Sequence, residues 1–264
     1  MNTENVGIAI LLTLIAGLST GIGSLISLLA RRTNTTFLCA SLGFSAGVMI
    51  YISFMDMMPH AGALLADIYG DKQGMLCLIL SFFGGMGLIT VIDFLVPEAT
   101  NPHEIRGLED MDGKVKLQRT GIIVAVSITL HNFPEGIAAF TSALNGLDVA
   151  IPIAVAIAIH NIPEGIAVSV PIYHATGSRR KAFTYSFLSG LSEPLGALIA
   201  YVFLMTLWTP AMEGIIMAAV SGIMVFISLD ELLPSAHKYG KHHVSIAGLV
   251  SGMLLMALSL FLFV

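Results

Sequence analysis

The residues in this chain best suited to chemistry sit in a motif written twice. His131-Asn132-Phe133-Pro134-Glu135-Gly136-Ile137-Ala138 is followed, 29 positions on, by His160-Asn161-Ile162-Pro163-Glu164-Gly165-Ile166-Ala167, and seven of the eight positions match. In each copy His and Glu are four apart, so one helical face presents both. Such a pair can ligate a divalent cation. Asn132 and Asn161, one position round, offer amide oxygens to an adjacent second ion, with Glu135 and Glu164 bridging the two. Imidazole, carboxylate and amide without thiolate suit zinc, ferrous iron, manganese or cobalt, and argue against cuprous ion. Because the ligands must be neutral His and ionised Glu, occupancy is linked to protons.

The elements that carry these groups are membrane spans. The chain of 264 residues is 56% hydrophobic and only 11% charged, and its mean hydropathy is strongly positive. Soluble domains carry about 25% charged residues, so an all-α, polytopic membrane protein is expected, a single domain over 1–264. At about 20 apolar residues per crossing, eight spans read as 6–30, 36–58, 74–96, 120–144, 148–172, 182–206, 212–233 and 244–264. The start, Met1-Asn2-Thr3-Glu4-Asn5, lacks a basic leader, so a retained first span is expected. The connection 97–119 reads as a flexible loop. Cys39 and Cys77 form no Cys-x-x-Cys pattern and read as small buried hydrophobes. Each motif begins about 11 residues into its span, roughly 16 Å deep at 1.5 Å per residue, near the middle of a hydrocarbon core about 30 Å thick. Glu193 on span 6 brings a third carboxylate to that level. Spans 4, 5 and 6 contain no Lys or Arg, so metal ions or protons must balance the charge. Polar groups so placed call for a function.

Charge and repetition set the topology. Eleven of the twelve Lys and Arg residues fall in connections 1–2, 3–4, 5–6 and 7–8, with Lys72 alone opposite. Positive-inside places those connections, 97–119 included, in the cytoplasm and both termini outside. Gly47 to Pro59 aligns with Gly222 to Pro234, and Gly17-Leu18-Ser19 with Gly190-Leu191-Ser192. Spans 1–3 and 6–8 thus read as an inverted repeat around the span 4/5 pair, a 3+2+3 plan recurrent in secondary transporters. Asp56 falls toward the outer end of span 2, and Asp230 and Glu231 toward the inner end of span 7. They would draw cations along a path, or simply face water as helix-end charges. His60, His174, His237, His242 and His243, near span ends or in connections, are expected to be solvated, with weak metal relay the alternative.

His-Asn-x-Pro-Glu-Gly on spans 4 and 5, Ser192-Glu193 on span 6, and eight spans with outward termini resemble the ZIP family of metal-ion transporters over essentially the whole chain. The resemblance implies one metal on His131, Glu135, His160 and Glu164. A second would lie on Asn132, Asn161 and Glu193, sharing Glu135 and Glu164. It further implies import of divalent metals, zinc with iron, manganese and cobalt, across the inner membrane of a bacterium, with spans 1/4/5/6 sliding against 2/3/7/8. The loop 97–119 carries only His103 where many relatives have a histidine-rich run. The expected partners are divalent metal ions, as substrate rather than cofactor, and the lipid bilayer; no nucleic acid is expected, and a homodimer is one assembly the chain could form. No nucleotide-binding motif is present, and none is needed. A dication entering down a 100 mV potential gains about 4.6 kcal/mol, roughly a thousandfold accumulation. An intramembrane metal-dependent hydrolase is a weaker alternative, since His-Glu-x-x-His is missing and every base doubles as a ligand. An exporter is the other, since ligands carry no direction.

Overall fold

A computed structural model describes residues 6–29, 35–95, 125, 128–129, 132–137, 139–141, 143, 146–204, 209–237 and 240–263. Among these there is no strand. The helices are α1 (Val6–Leu29), α2 (Thr35–Ile52), α3 (Met58–Tyr69), α4 (Asp71–Leu95), α5 (Leu147–Thr176), α6 (Arg179–Gly190), α7 (Ser192–Ile199), α8 (Pro210–Ile227), α9 (Leu233–His237) and α10 (His242–Phe263). The described residues between 125 and 143 are also helical. The expected loop 97–119, His131 and the expected limits of span 4, 120 and 144, lie outside the described residues.

Six described stretches are long and apolar enough to cross a membrane: Val6–Ile26, Thr35–Tyr69, Asp71–Ile92, Ala150–Val170, Pro210–Asp230 and His242–Phe261. A helix satisfies its own backbone polar groups, which hydrocarbon cannot do. The surface suits lipid: Leu80, Phe83, Leu254 and Phe261 stand more than half exposed on α4 and α10, while serines and carboxylates lie inside.

Two spans depart from expectation. Span 2 does not end at 58 but runs on to Tyr69, through a π-helical segment Ser53–Met57. The cause is Pro59, whose ring would strike the carbonyl four residues back and which donates no hydrogen bond. The segment widens the ladder just before it, with Met58 N–H reaching Ser53 O. Span 7 repeats the device: Ser228–Leu232 is π-helical, Leu233 N–H reaches Ser228 O, and Pro234 follows. The second departure is span 6, which is not one helix. It breaks at Leu191 between α6 and α7, because Pro194 removes the bond to the carbonyl of Gly190. α5, by contrast, continues through Pro152, Pro163 and Pro171 to Thr176. Gly177, at φ +65°, then takes the left-handed cap that other residues adopt at a cost, and Ser178 caps α6 by accepting from Lys181 N–H at 3.3 Å.

The helices pack as two groups. α1 lies on α5, α6 and α7, whereas α2 pairs with α10, α4 with α8, and α3 with both α4 and α8. α5 joins the groups through α2 and α10. Glycines let backbones touch, and their contacts come in related pairs. A Cβ on Gly165 would strike Thr20 O and one on Gly23 would strike Ile162 O; on Gly136 it would strike Glu193 O, and on Gly196 Phe133 O. Thr20 and Glu193, like Gly23 and Gly196, are 173 positions apart, and Gly136 and Gly165, like Phe133 and Ile162, are 29 apart.

Candidate metal centre

Three stretches of chain bring polar side chains to one buried place. α5 supplies His160, Asn161 and Glu164, the helical residues 132–137 supply Asn132 and Glu135, and the first turn of α7 supplies Glu193. None is more than 1% exposed.

Each carboxylate meets a polar group from another stretch. His160 Nδ1 lies 3.0 Å from Ala156 O. A carbonyl only accepts, so Nδ1 carries that proton and Nε2 turns to Glu135 Oε1, 2.7 Å away. Asn132 Nδ2 donates to Glu164 Oε2 at 3.2 Å and to Ile128 O at 3.0 Å in the amide orientation that satisfies both. Asn161 Nδ2 donates to Ala16 O at 3.0 Å and to Glu193 Oε1. Glu193 also stands at the positive end of α7, where the helix dipole favours an anion.

No three His, Cys, Asp or Glu side chains among the described residues form a preassembled cage. They satisfy one another pairwise, and an ion would enter by parting them. Ligands at about 2.0–2.2 Å around a tetrahedral ion sit roughly 3.3 Å apart. His160 and Glu135 need open by only about half an ångström to reach that spacing. Asn161 Oδ1 and Glu193 Oε2, both buried, have no hydrogen-bond partner among the described residues. Such orphaned acceptors cost about 1–3 kcal/mol each, and a cation between them would relieve both.

Asp56 is half-buried and lines a cavity of about 10 Å³ together with Ile52, Glu135, Ile153, Ile157 and Met224. That is room for about one water, and it connects Asp56 with Glu135. Asp230 is half-buried in the second π segment, which also holds Glu231. Sequence reasoning missed Ser45. From α2 it donates to Glu164 Oε1 at 3.4 Å, reaching this polar cluster from the other helical group. Its only signal is a hydroxyl in an apolar run, which Ser41 and Ser53 share. Ser186 was missed likewise; it donates to Gly165 O at 3.2 Å and Thr20 O at 3.4 Å. His60 is not merely solvated, for its Nε2 lies 3.5 Å from Glu213 Oε1. Cys39 and Cys77 are free thiols.

Apolar helices around an interior of imidazole, amide and carboxylate define the class: a multi-pass membrane protein that handles divalent metal ions. Residues 97–260 match the family model described as ZIP zinc transporter, and the chain belongs to that family. It is similar to proteins named zinc transporter ZupT. That of Streptococcus mutans is 59% identical over 257 residues, 97% of each chain. That of Clostridium perfringens is 54% identical over 280 residues, covering all of this chain and 98% of the relative. That of Oceanobacillus iheyensis is 56% identical over 265 residues, 98% of this chain and 99% of its own.

Proposed function

We propose that this chain imports zinc into a bacterial cytoplasm as one transport domain of eight spans in the inner membrane. Ferrous iron, manganese and cobalt share the ligand chemistry and are further substrates. One ion is held by His131, Glu135, His160 and Glu164. A second is held by Asn132, Asn161 and Glu193, with Glu135 and Glu164 shared. The Lys and Arg bias puts both termini outside.

The observation that carries this reading is the pairing of three buried carboxylates with His160, Asn132 and Asn161, inside spans without Lys or Arg. Charge there is balanced only by protons or by the passenger. Related glycine contacts and two π segments at corresponding positions support the 3+2+3 inverted repeat. Such a plan gives inward- and outward-facing states of similar energy. The α1/α5/α6/α7 group, together with the helical residues 132–137, carries the ligands, and the other group touches them through Ser45. Sliding one along the other exposes Glu164 first to one side, then to the other. Asp56 feeds the outer face, and Asp230 and Glu231 draw the ion inward.

The test is zinc uptake into proteoliposomes. Wild-type protein accumulates zinc, and His160→Ala and Glu164→Ala abolish it while melting as folded proteins. Undiminished uptake by both folded variants would exclude the site.

A further inference from the structure

A second group of imidazoles lies away from the membrane-centre site, where α9 gives way to α10. His237 ends α9 and His242 begins α10. Between them Gly240 turns the chain at φ +69°, with Gly240 N–H donating to His237 O at 2.9 Å. The turn brings His242 Nδ1 to 3.2 Å from His237 Nε2, with ring centroids 4.7 Å apart. Two imidazoles on one tetrahedral ion, each at about 2.0–2.1 Å, hold their nitrogens roughly 3.3 Å apart. The pair already stands on that edge, so a metal can replace the shared hydrogen with little movement. The turn is anchored as well. Cys39 Sγ donates to Lys241 O at 3.4 Å, and Lys241 Nζ donates to Thr36 Oγ1, which ties the turn to the start of α2.

We propose that His237 and His242 form a second divalent-metal site, separate from the membrane-centre site. His243 leads to it. Its ring lies 5.7 Å from that of His242, and it lines a largely apolar cleft of about 610 Å³ that Ile162 and Pro163, next to Glu164 on α5, also line. All three histidines are exposed, so water or a cytoplasmic acceptor completes the coordination. Two neutral ligands beside Lys241 give a site that exchanges its ion readily. Its position on the leaving side rests on the orientation proposed above; the binding itself does not.

The experiment counts zinc bound by the full-length chain in nanodiscs against a chromophoric zinc indicator, with His160→Ala and Glu164→Ala removing the central site. One equivalent is expected to remain, and His237→Ala or His242→Ala should weaken it at least tenfold. Should that background fail to fold, the count is made in the otherwise wild-type chain, where the double His237→Ala, His242→Ala variant should bind one ion fewer. Equal stoichiometry and affinity with and without the two histidines would overturn the proposal. Uptake lost in Glu164→Ala but retained by the His237/His242 variants would still support the central site, so failure of either idea is seen separately.

Discussion

Gly136→Ala asks whether the contact between Glu193 and its neighbours must be as close as it is. A Cβ there would fall on the Glu193 carbonyl oxygen and lie 2.6 Å and 2.7 Å from Glu193 C and Cα. Carbon atoms settle at about 3.5–4.0 Å, so the first turn of α7 must withdraw by about 1 Å. Overpacking of this kind costs about 1–3 kcal/mol, which a folded membrane bundle can bear. The ligand set is less tolerant. Glu193 moves with α7, while Asn161 stays on α5, held to Ala16 O. Displacing a group that orients a metal site lowers affinity about 10- to 100-fold. The half-saturation concentration for zinc uptake into proteoliposomes should rise by that factor, with only a modest fall in melting temperature. Gly84→Ala is the matched control, because a Cβ there meets nothing within 4 Å. Equal uptake by Gly136→Ala and wild type, or equal loss in Gly84→Ala, would refute the reasoning.

Ser45→Ala removes one long hydrogen bond to Glu164, about 0.5–1.5 kcal/mol; zinc half-saturation should rise about 2- to 10-fold, and an unchanged value would remove Ser45 from the site. Glu193→Gln keeps the shape and drops the charge, so equilibrium dialysis should find one bound zinc fewer in the central site, while full stoichiometry would separate Glu193 from the metal. Gly165→Ala overlaps Thr20 O as Gly136→Ala overlaps Glu193 O. It should lower the melting temperature comparably yet disturb zinc half-saturation less, and the reverse order would contradict the assignment of Glu193. A membrane-impermeant maleimide added to intact cells should label Lys72→Cys and spare Lys181→Cys; the opposite pattern would invert the chain.

The helical class, the limits of spans 1, 3 and 8 and the duplicated motif were legible because bilayer thickness and buried charge constrain a sequence strongly. Span 1, expected at 6–30, is Val6–Leu29, and span 8, expected at 244–264, is His242–Phe263. The continuation of span 2 to Tyr69 was not legible. Pro59 reads as a stop unless the chain can widen its ladder first, and nothing local announces the π segment. The break at Leu191 had a signal in Pro194, but equally placed prolines in α5 cause no break. What separates them is tertiary: the carbonyl of Gly190 faces α1 at Gly17. Ser45 and Ser186 were hidden for a related reason. A hydroxyl in an apolar helix usually bonds its own preceding turn, as Ser221 and Ser228 do, and only packing reveals one that reaches another helix.

The related contacts also point to where the two halves cease to be equivalent. Gly165 touches Thr20 on α1 as Gly136 touches Glu193 on α7, so each motif helix closes on the same kind of seam. One seam holds a hydroxyl and the other a carboxylate. Had both positions been acidic, four carboxylates would converge, and two dications would bind too tightly to leave. Were both Thr, Asn161 would lose the carboxylate it meets, while Asn132 would keep Glu164. With a single Glu, the two dications proposed above would meet three carboxylates, a deficit of one charge that would leave them held but mutually repelled. Thr20, buried with no hydrogen-bond partner for its hydroxyl among the described residues, is the neutral half of that pair, and in the proposed two-ion site this inequality would let the second ion depart.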